Sequence, residues 1–222
     1  AESPKDKEGT SKWQSLVAYD ESRAQRLLRL AQTLFAQKKF QEASVSVEDS
    51  IQLYRNLSAN PRVRGPRRDR VVKLGLRARH LLTESLGRLG DFNRAIEIQK
   101  EVHEILQKSK GTENLETLQA QFDLSALFFK SGDYKACETI LRALLSSLAD
   151  SGSDIYTLTV KALSQCLYKQ QATDQALKLV QSESLKSASL HIALRPRLIR
   201  LECIAGDLEK AKSLAAEEIQ MN

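Results

Sequence analysis

Between Glu113 and Leu145 two apolar stripes at helical spacing are separated only by Gly132-Asp133. Leu118, Phe122, Ser125 and Phe129 form the first stripe, with Leu124 and Phe128 one step round. Tyr134, Cys137, Leu141, Leu144 and Leu145 form the second. Glycine enters the left-handed conformation that ends a helix, and aspartate accepts a free N–H at the start of the next. The stretch therefore reads as two antiparallel helices joined by a tight turn. A pair this short cannot bury its apolar faces alone, so neighbouring pairs are required.

A small residue five positions after the turn glycine finds those neighbours. Aligned on Cys137, the chain offers Ala43, Ala95, Ala176 and Ala211. Three positions earlier stand Phe40, Phe92, Tyr134, Thr173 and Leu208, and twelve earlier Ala31, Thr83, Ser125, Ser164 and Ile199. Thirteen earlier the residue is always leucine: Leu30, Leu82, Leu124, Leu163 and Leu198. Gly-Asp recurs at Gly90-Asp91 and Gly206-Asp207. The first repeat has Lys38-Lys39 there and the fourth Gln171-Ala172.

These positions resemble the signature of the tetratricopeptide repeat family over roughly Ser22 to Ile219. The anchors are 52, 42, 39 and 35 residues apart, and Glu113 to Leu145 is similar to the longer, kinesin-light-chain-type repeat. The resemblance implies an all-α fold, a right-handed α-solenoid of about five antiparallel helix pairs. The usual first-helix aromatic appears only as Phe128; Leu34, Leu86, Leu167 and Glu202 stand elsewhere. A two-carboxylate clamp known in the family would need asparagines at Arg29 and Glu84, and the paired asparagines of the kinesin-light-chain groove fall on Phe122 and Asp123. Neither activity carries over.

The domain reading is a mobile tail at 1–15 and a repeat domain at 16–222, interrupted by a basic insertion at 58–70. Trp13, Leu16 and Val17 read as a capping turn, with the first helix opening at Asp20 or Ser22. Pro61, Gly65 and Pro66 break helical periodicity, which resumes at Val71. From Pro61 to His80 there are eight Arg or Lys and one Asp, net +7; the whole chain is +6, so the remainder sums to −1. The basic character is therefore local. Arg62, Arg64, Arg67, Arg68 and Arg70 read as a solvated loop, a dock for an acidic protein, or a contact to nucleic-acid or lipid phosphates. Thr112 is expected to help open the third repeat, and residues 150–154 form a loop. In Leu185–Ile204, Pro196 implies either a helix starting near Leu194 or a kink.

No apolar run reaches the ~20 residues of a membrane span. Cys137, Cys166 and Cys203 lack disulfide or zinc spacing and read as reduced thiols in small core positions. A cytoplasmic or nuclear location is expected from that. His80, His103 and His191 have no second His or Cys at ligand spacing. No nucleotide-loop, metalloprotease or nucleophile-elbow motif occurs. No cofactor, metal or catalytic residue is expected, and the chain reads as non-enzymatic.

In such a solenoid the first helices line the concave face. The groove residues are then Phe35, Arg77, His80, Arg88, Phe122, Phe129, Lys130, Lys161, Tyr168 and Lys169, with Gln25, Leu28 and Gln32 continuing the first stripe. A basic, aromatic groove suits an acidic and apolar peptide or partner subunit. Nucleic-acid binding through residues 61–80 is the alternative.

Overall fold

The computed structural model describes residues 4–148 and 153–220, with side chains described for 13–148 and 153–216. Among the described residues there are ten helices and no strand: α1 (Pro4–Ala36), α2 (Phe40–Ala59), α3 (Gly65–Leu89), α4 (Phe92–Lys110), α5 (Leu115–Ser131), α6 (Tyr134–Ser147), α7 (Asp154–Lys169), α8 (Thr173–Ser184), α9 (Ala188–Ala205) and α10 (Leu208–Gln220). The chain divides into two compact units, residues 1–102 and 103–222.

The turns follow one stereochemical rule. Gly90, Gly132 and Gly206 take φ of +81°, +87° and +92°. The Oδ1 of the following aspartate accepts from the N–H three residues on: Asp91 from Arg94 at 3.3 Å, Asp133 from Ala136 at 3.0 Å and Asp207 from Lys210 at 3.2 Å. The two repeats without glycine reach the same left-handed conformation with Lys38 at φ +62° and Gln171 at φ +63°. The turn geometry is thus set by the helix pair, and a side chain tolerates it at a cost.

The anchor column explains why the pairs sit so close. Ala43, Ala95 and Ala176 are fully buried, Cys137 is 1% exposed and Ala211 3%. Of the leucine column, Leu82, Leu124, Leu163 and Leu198 are buried, while Leu30 is 48% exposed. Leu30 lies on α1, and no preceding helix exists among the described residues to cover that face. The buried stripe of α1 is instead Val17, Glu21, Ala24, Leu28 and Ala31, at spacings of four and three.

In the first unit α2 packs on both α1 and α3, and α1 also touches α3. The Ser50 hydroxyl donates to the Ala24 carbonyl across α1 and α2 at 2.8 Å. Gly75 of α3 lies against Tyr54 of α2; a Cβ there would stand 3.3 Å from the Tyr54 Cβ. In the second unit each helix from α5 to α10 packs on the next. One core there joins Cys137, Leu141, Val160, Leu163, Leu167, Val180, Leu194 and Leu201. A buried polar lock ties α7 to the end of α8. Tyr156 Oη donates to Glu183 Oε2 at 2.6 Å, and Lys186 Nζ donates to both, at 2.8 and 2.9 Å. Glu202, which stands where the repeat ordinarily has an aromatic, is 1% exposed and held by Gln181 Nε2 and Lys210 Nζ, each at 2.9 Å.

Several boundaries differ from the sequence expectation. Residues 4–15, expected as tail, lie within α1, which begins well ahead of Asp20; residues 1–3 lie outside the described residues. Of the insertion at 58–70, only residues 60–64 are non-helical. Pro66 falls in the first turn of α3, where its missing N–H costs nothing, and Gly65 supplies φ +59°. Asn114 rather than Thr112 caps α5, its Oδ1 accepting from Glu116 N at 3.0 Å. Helix α9 begins at Ala188, with Pro196 inside it. Ser187 caps that start, accepting from Leu190 N, and the buried stripe Leu190, Leu194, Leu198, Leu201 holds the helix through the proline. Of the expected loop, residues 150–152 lie outside the described residues. Cys137 and Cys166 are buried, and burial pushes the Cys137 thiol up to about 12; Cys203 is exposed and fills no core position.

Two predictions follow from this packing. Glycine at 38 or 171 relieves the left-handed strain but loosens the unfolded chain. Lys38→Gly and Gln171→Gly should each stabilise by about 0.5 kcal/mol, read as a rise in Tm; an unchanged or lower Tm in both contradicts the strain argument. Phe129 meets Tyr134 edge-on, ring centroids 5.3 Å apart, and packs on the second unit's core. Phe129→Ala should therefore cost about 2 kcal/mol in urea unfolding, and an unshifted midpoint would place the ring outside the core.

Candidate functional site

The arginines of the first unit divide by partner. Glu21 is 7% exposed. Its Oε2 accepts from Arg67 Nε at 3.1 Å and Nη2 at 2.7 Å. Arg79, also buried, donates to Glu101 at 3.2 Å and to the Gly75 carbonyl at 3.3 Å. Burial lowers its pKa, which the bond to Glu101 opposes. Arg55 shares Glu101 at 3.0 Å. Arg62 lies over the Trp13 ring, 5.6 Å from its centroid, and Arg64 Nε donates to the Pro61 carbonyl. Val63 between them is 1% exposed. Much of the basic insertion is therefore fastened to the helices around it.

Three arginines are not so committed, and they converge. A cleft of about 340 Å³ between α1 and α3 is lined by Gln25, Leu28, Arg29, Gln32, Arg70, Leu74 and Arg77. No carboxylate lines it. Arg70 Nη2 lies 4.0 Å from Glu21 Oε1, a loose pairing. Among the described residues, no carboxylate pairs with Arg29 or Arg77. Helical spacing places 25, 28, 29 and 32 on one face of α1 and 70, 74 and 77 on one face of α3. Tyr54 of α2, which lies against Gly75 of α3, is 1% exposed, and its hydroxyl has no hydrogen-bond partner among the described residues. Its pKa is pushed up to about 12, first by burial and then by Glu21, while the charges of Arg70 and Arg77 pull it down. The cleft can take an anion: three donors of fixed charge, two amides, and leucine on each wall.

The sequence-predicted groove residues scatter across this picture. Arg77 lines the cleft together with Gln25, Leu28 and Gln32 from the expected first stripe. His80 is exposed, and Arg88 is exposed with Glu84 at 3.9 Å. Phe35 stacks edge-on with Phe40 at 5.1 Å, filling the crease of the first pair. Phe122 and Phe129 are half-buried against the second unit's core, and so is Tyr168. Lys161 is half-buried, and Lys130 and Lys169 are exposed. Of the insertion, Arg70 lines the cleft, Arg67 is held by Glu21, and Arg62, Arg64 and Arg68 are exposed. Arg29 and Leu74 were missed. Arg29 adjoins Leu28 and Leu74 lies one turn before Arg77, on faces that a stripe of single residues per turn undercounts. Among the described residues no helix is long and apolar enough to cross a membrane.

Residues 76–148 match the family model of the tetratricopeptide repeat. No curated protein matches the chain. Among solved structures, a Podosopora anserina protein with nearly identical kinesin-light-chain TPR-like repeats is 18% identical with a TM-score of 0.68, covering 90% of this chain and 94% of that one. BtubC (BKLC) from P. vanneervenii is 15% identical with a TM-score of 0.59, covering 92% and 90%. The Rap conjugation gene regulator of plasmid pLS20, solved in complex with the Phr* peptide, is 16% identical with a TM-score of 0.53; the match covers 88% of this chain and 52% of that one. At such identities the likeness is one of fold. Repeat signature, helix-pair packing and these matches agree that the chain resembles the tetratricopeptide repeat family, with kinesin-light-chain-type repeats among its structural neighbours.

Proposed function

We propose that this chain is a non-enzymatic protein-interaction scaffold that holds an acidic and apolar peptide, or such a segment of a partner subunit, on the face formed by α1 and α3. The observation that carries the reading is the cleft between α1 and α3, with Arg29, Arg70 and Arg77 around Leu28 and Leu74 and no acid in its lining. Two charges without counter-ions, Arg29 and Arg77, and one loosely paired, Arg70, beside apolar walls favour an anionic partner that also buries apolar surface. The peptide-bound Rap regulator, similar in fold, supports the class of ligand. A cytoplasmic or nuclear location is part of the same proposal. Nucleic-acid binding along residues 61–80 is less favoured, because Arg62, Arg67 and Arg79 are committed to Trp13, Glu21 and Glu101.

A fluorescein-labelled peptide of alternating Glu and Leu tests this by anisotropy, beside its Gln-for-Glu counterpart. The acidic peptide should bind more tightly, and Arg29→Gln with Arg77→Gln should weaken it at least tenfold, about 1.4 kcal/mol. Equal binding of the two peptides, or no effect of the double substitution, overturns the assignment. Tighter binding of a single-stranded oligonucleotide, weakening steeply with salt, favours the nucleic-acid reading.

A further inference from the structure

A second cationic site lies in the other unit, where α7 and α9 touch. Arg197 of α9 reaches onto α7, and its Nε donates to Ser164 Oγ at 2.9 Å. The Ser164 hydroxyl in turn donates to the Lys161 carbonyl at 2.8 Å. The other arm of the guanidinium, Nη2, is closed to solvent and has no hydrogen-bond partner among the described residues. Arg200, one turn on, is exposed.

Among the described residues, no carboxylate pairs with Arg197 or Arg200. Glu202, the only acid on α9, is committed to Gln181 and Lys210. Asp154, the only acid on α7, sits in that helix's first turn. Burial lowers the Arg197 pKa, and the Arg200 charge lowers it further, while Tyr168 opposes the shift. A half-buried cation beside a like charge is unfavourable unless an anion joins it. Position 164 is the small-residue position of the repeat, so the guanidinium is lodged where the two helices come close.

We propose that Arg197 and Arg200, with Tyr168 beside them, form a subsite for a carboxylate of an acidic peptide, separate from the α1–α3 cleft. Ser164 is its positioning residue: by taking Nε–H it fixes the guanidinium plane, so that the carboxylate meets an oriented donor set. A planar monoanion suits one anchored guanidinium joined by one mobile one.

The test is arginine modification of the folded chain by phenylglyoxal, read by mass spectrometry at Arg200 in the presence of hexaglutamate or hexaglutamine at matched ionic strength. Hexaglutamate should slow modification of Arg200 at least fivefold and hexaglutamine should not. Protection should persist in the Arg29→Gln, Arg77→Gln protein, which keeps this result independent of the first cleft. It should be lost in Arg197→Gln; where that variant's circular dichroism shows misfolding, protection in the unsubstituted chain decides alone. Equal rates with the two peptides overturn the proposal. So does equal protection by inorganic phosphate, which would make the pair a general anion sink rather than a peptide subsite.

Discussion

The close approach of paired helices at one small side chain governs this structure. Ala43, Ala95, Cys137, Ala176 and Ala211 are all buried to within 3%. A larger residue there would push the helices apart. Close pairing in turn demands a turn of two residues with a left-handed first position. That demand is strong enough to hold Lys38 and Gln171 at positive φ where glycine is missing. Apolar stripes, caps and buried polar locks are arranged around this spacing.

Once the pairs are fixed, the charges sort themselves by solvent access. The buried carboxylates among the described residues, Glu21, Glu183 and Glu202, each have a basic partner within 2.9 Å. Leaving any of them unpaired would cost several kilocalories per mole on the order of a buried lone ion. Among the unpaired or loosely paired cations, Arg29, Arg70 and Arg77 share a cleft on α1 and α3, and Arg197 and Arg200 lie one turn apart on α9. The functional reading rests on this remainder and not on the chain's total charge of +6.

The fold was legible because its signals are local. Gly-Asp and a small residue five positions on recur in register, and helical spacing reveals the buried stripes. Boundaries were less legible where a residue has two uses. Pro66 reads as a helix breaker but sits in a first turn, and Pro196 lies inside a helix that four buried leucines hold together. The proposed cleft was half legible. Arg77, Gln25, Leu28 and Gln32 follow from periodicity, whereas the choice between a free and a committed arginine depends on partners 46 residues away, as with Arg67 and Glu21. The aromatic residues Phe35, Phe122 and Phe129 have the spacing of a groove, yet each packs against its own unit. Spacing along one helix does not tell a groove from an interior.

The central claim is that committed arginines are structural and uncommitted ones face a ligand. Arginine side-chain Nε–H resonances, followed by NMR in the full chain during titration with hexaglutamate, test it most directly. The account predicts that Arg29, Arg70 and Arg77 shift progressively while Arg67 and Arg79, held by Glu21 and Glu101, stay in place. Shifts of Arg67 and Arg79 equal to those of the cleft arginines, or no selective shift at all, would contradict it.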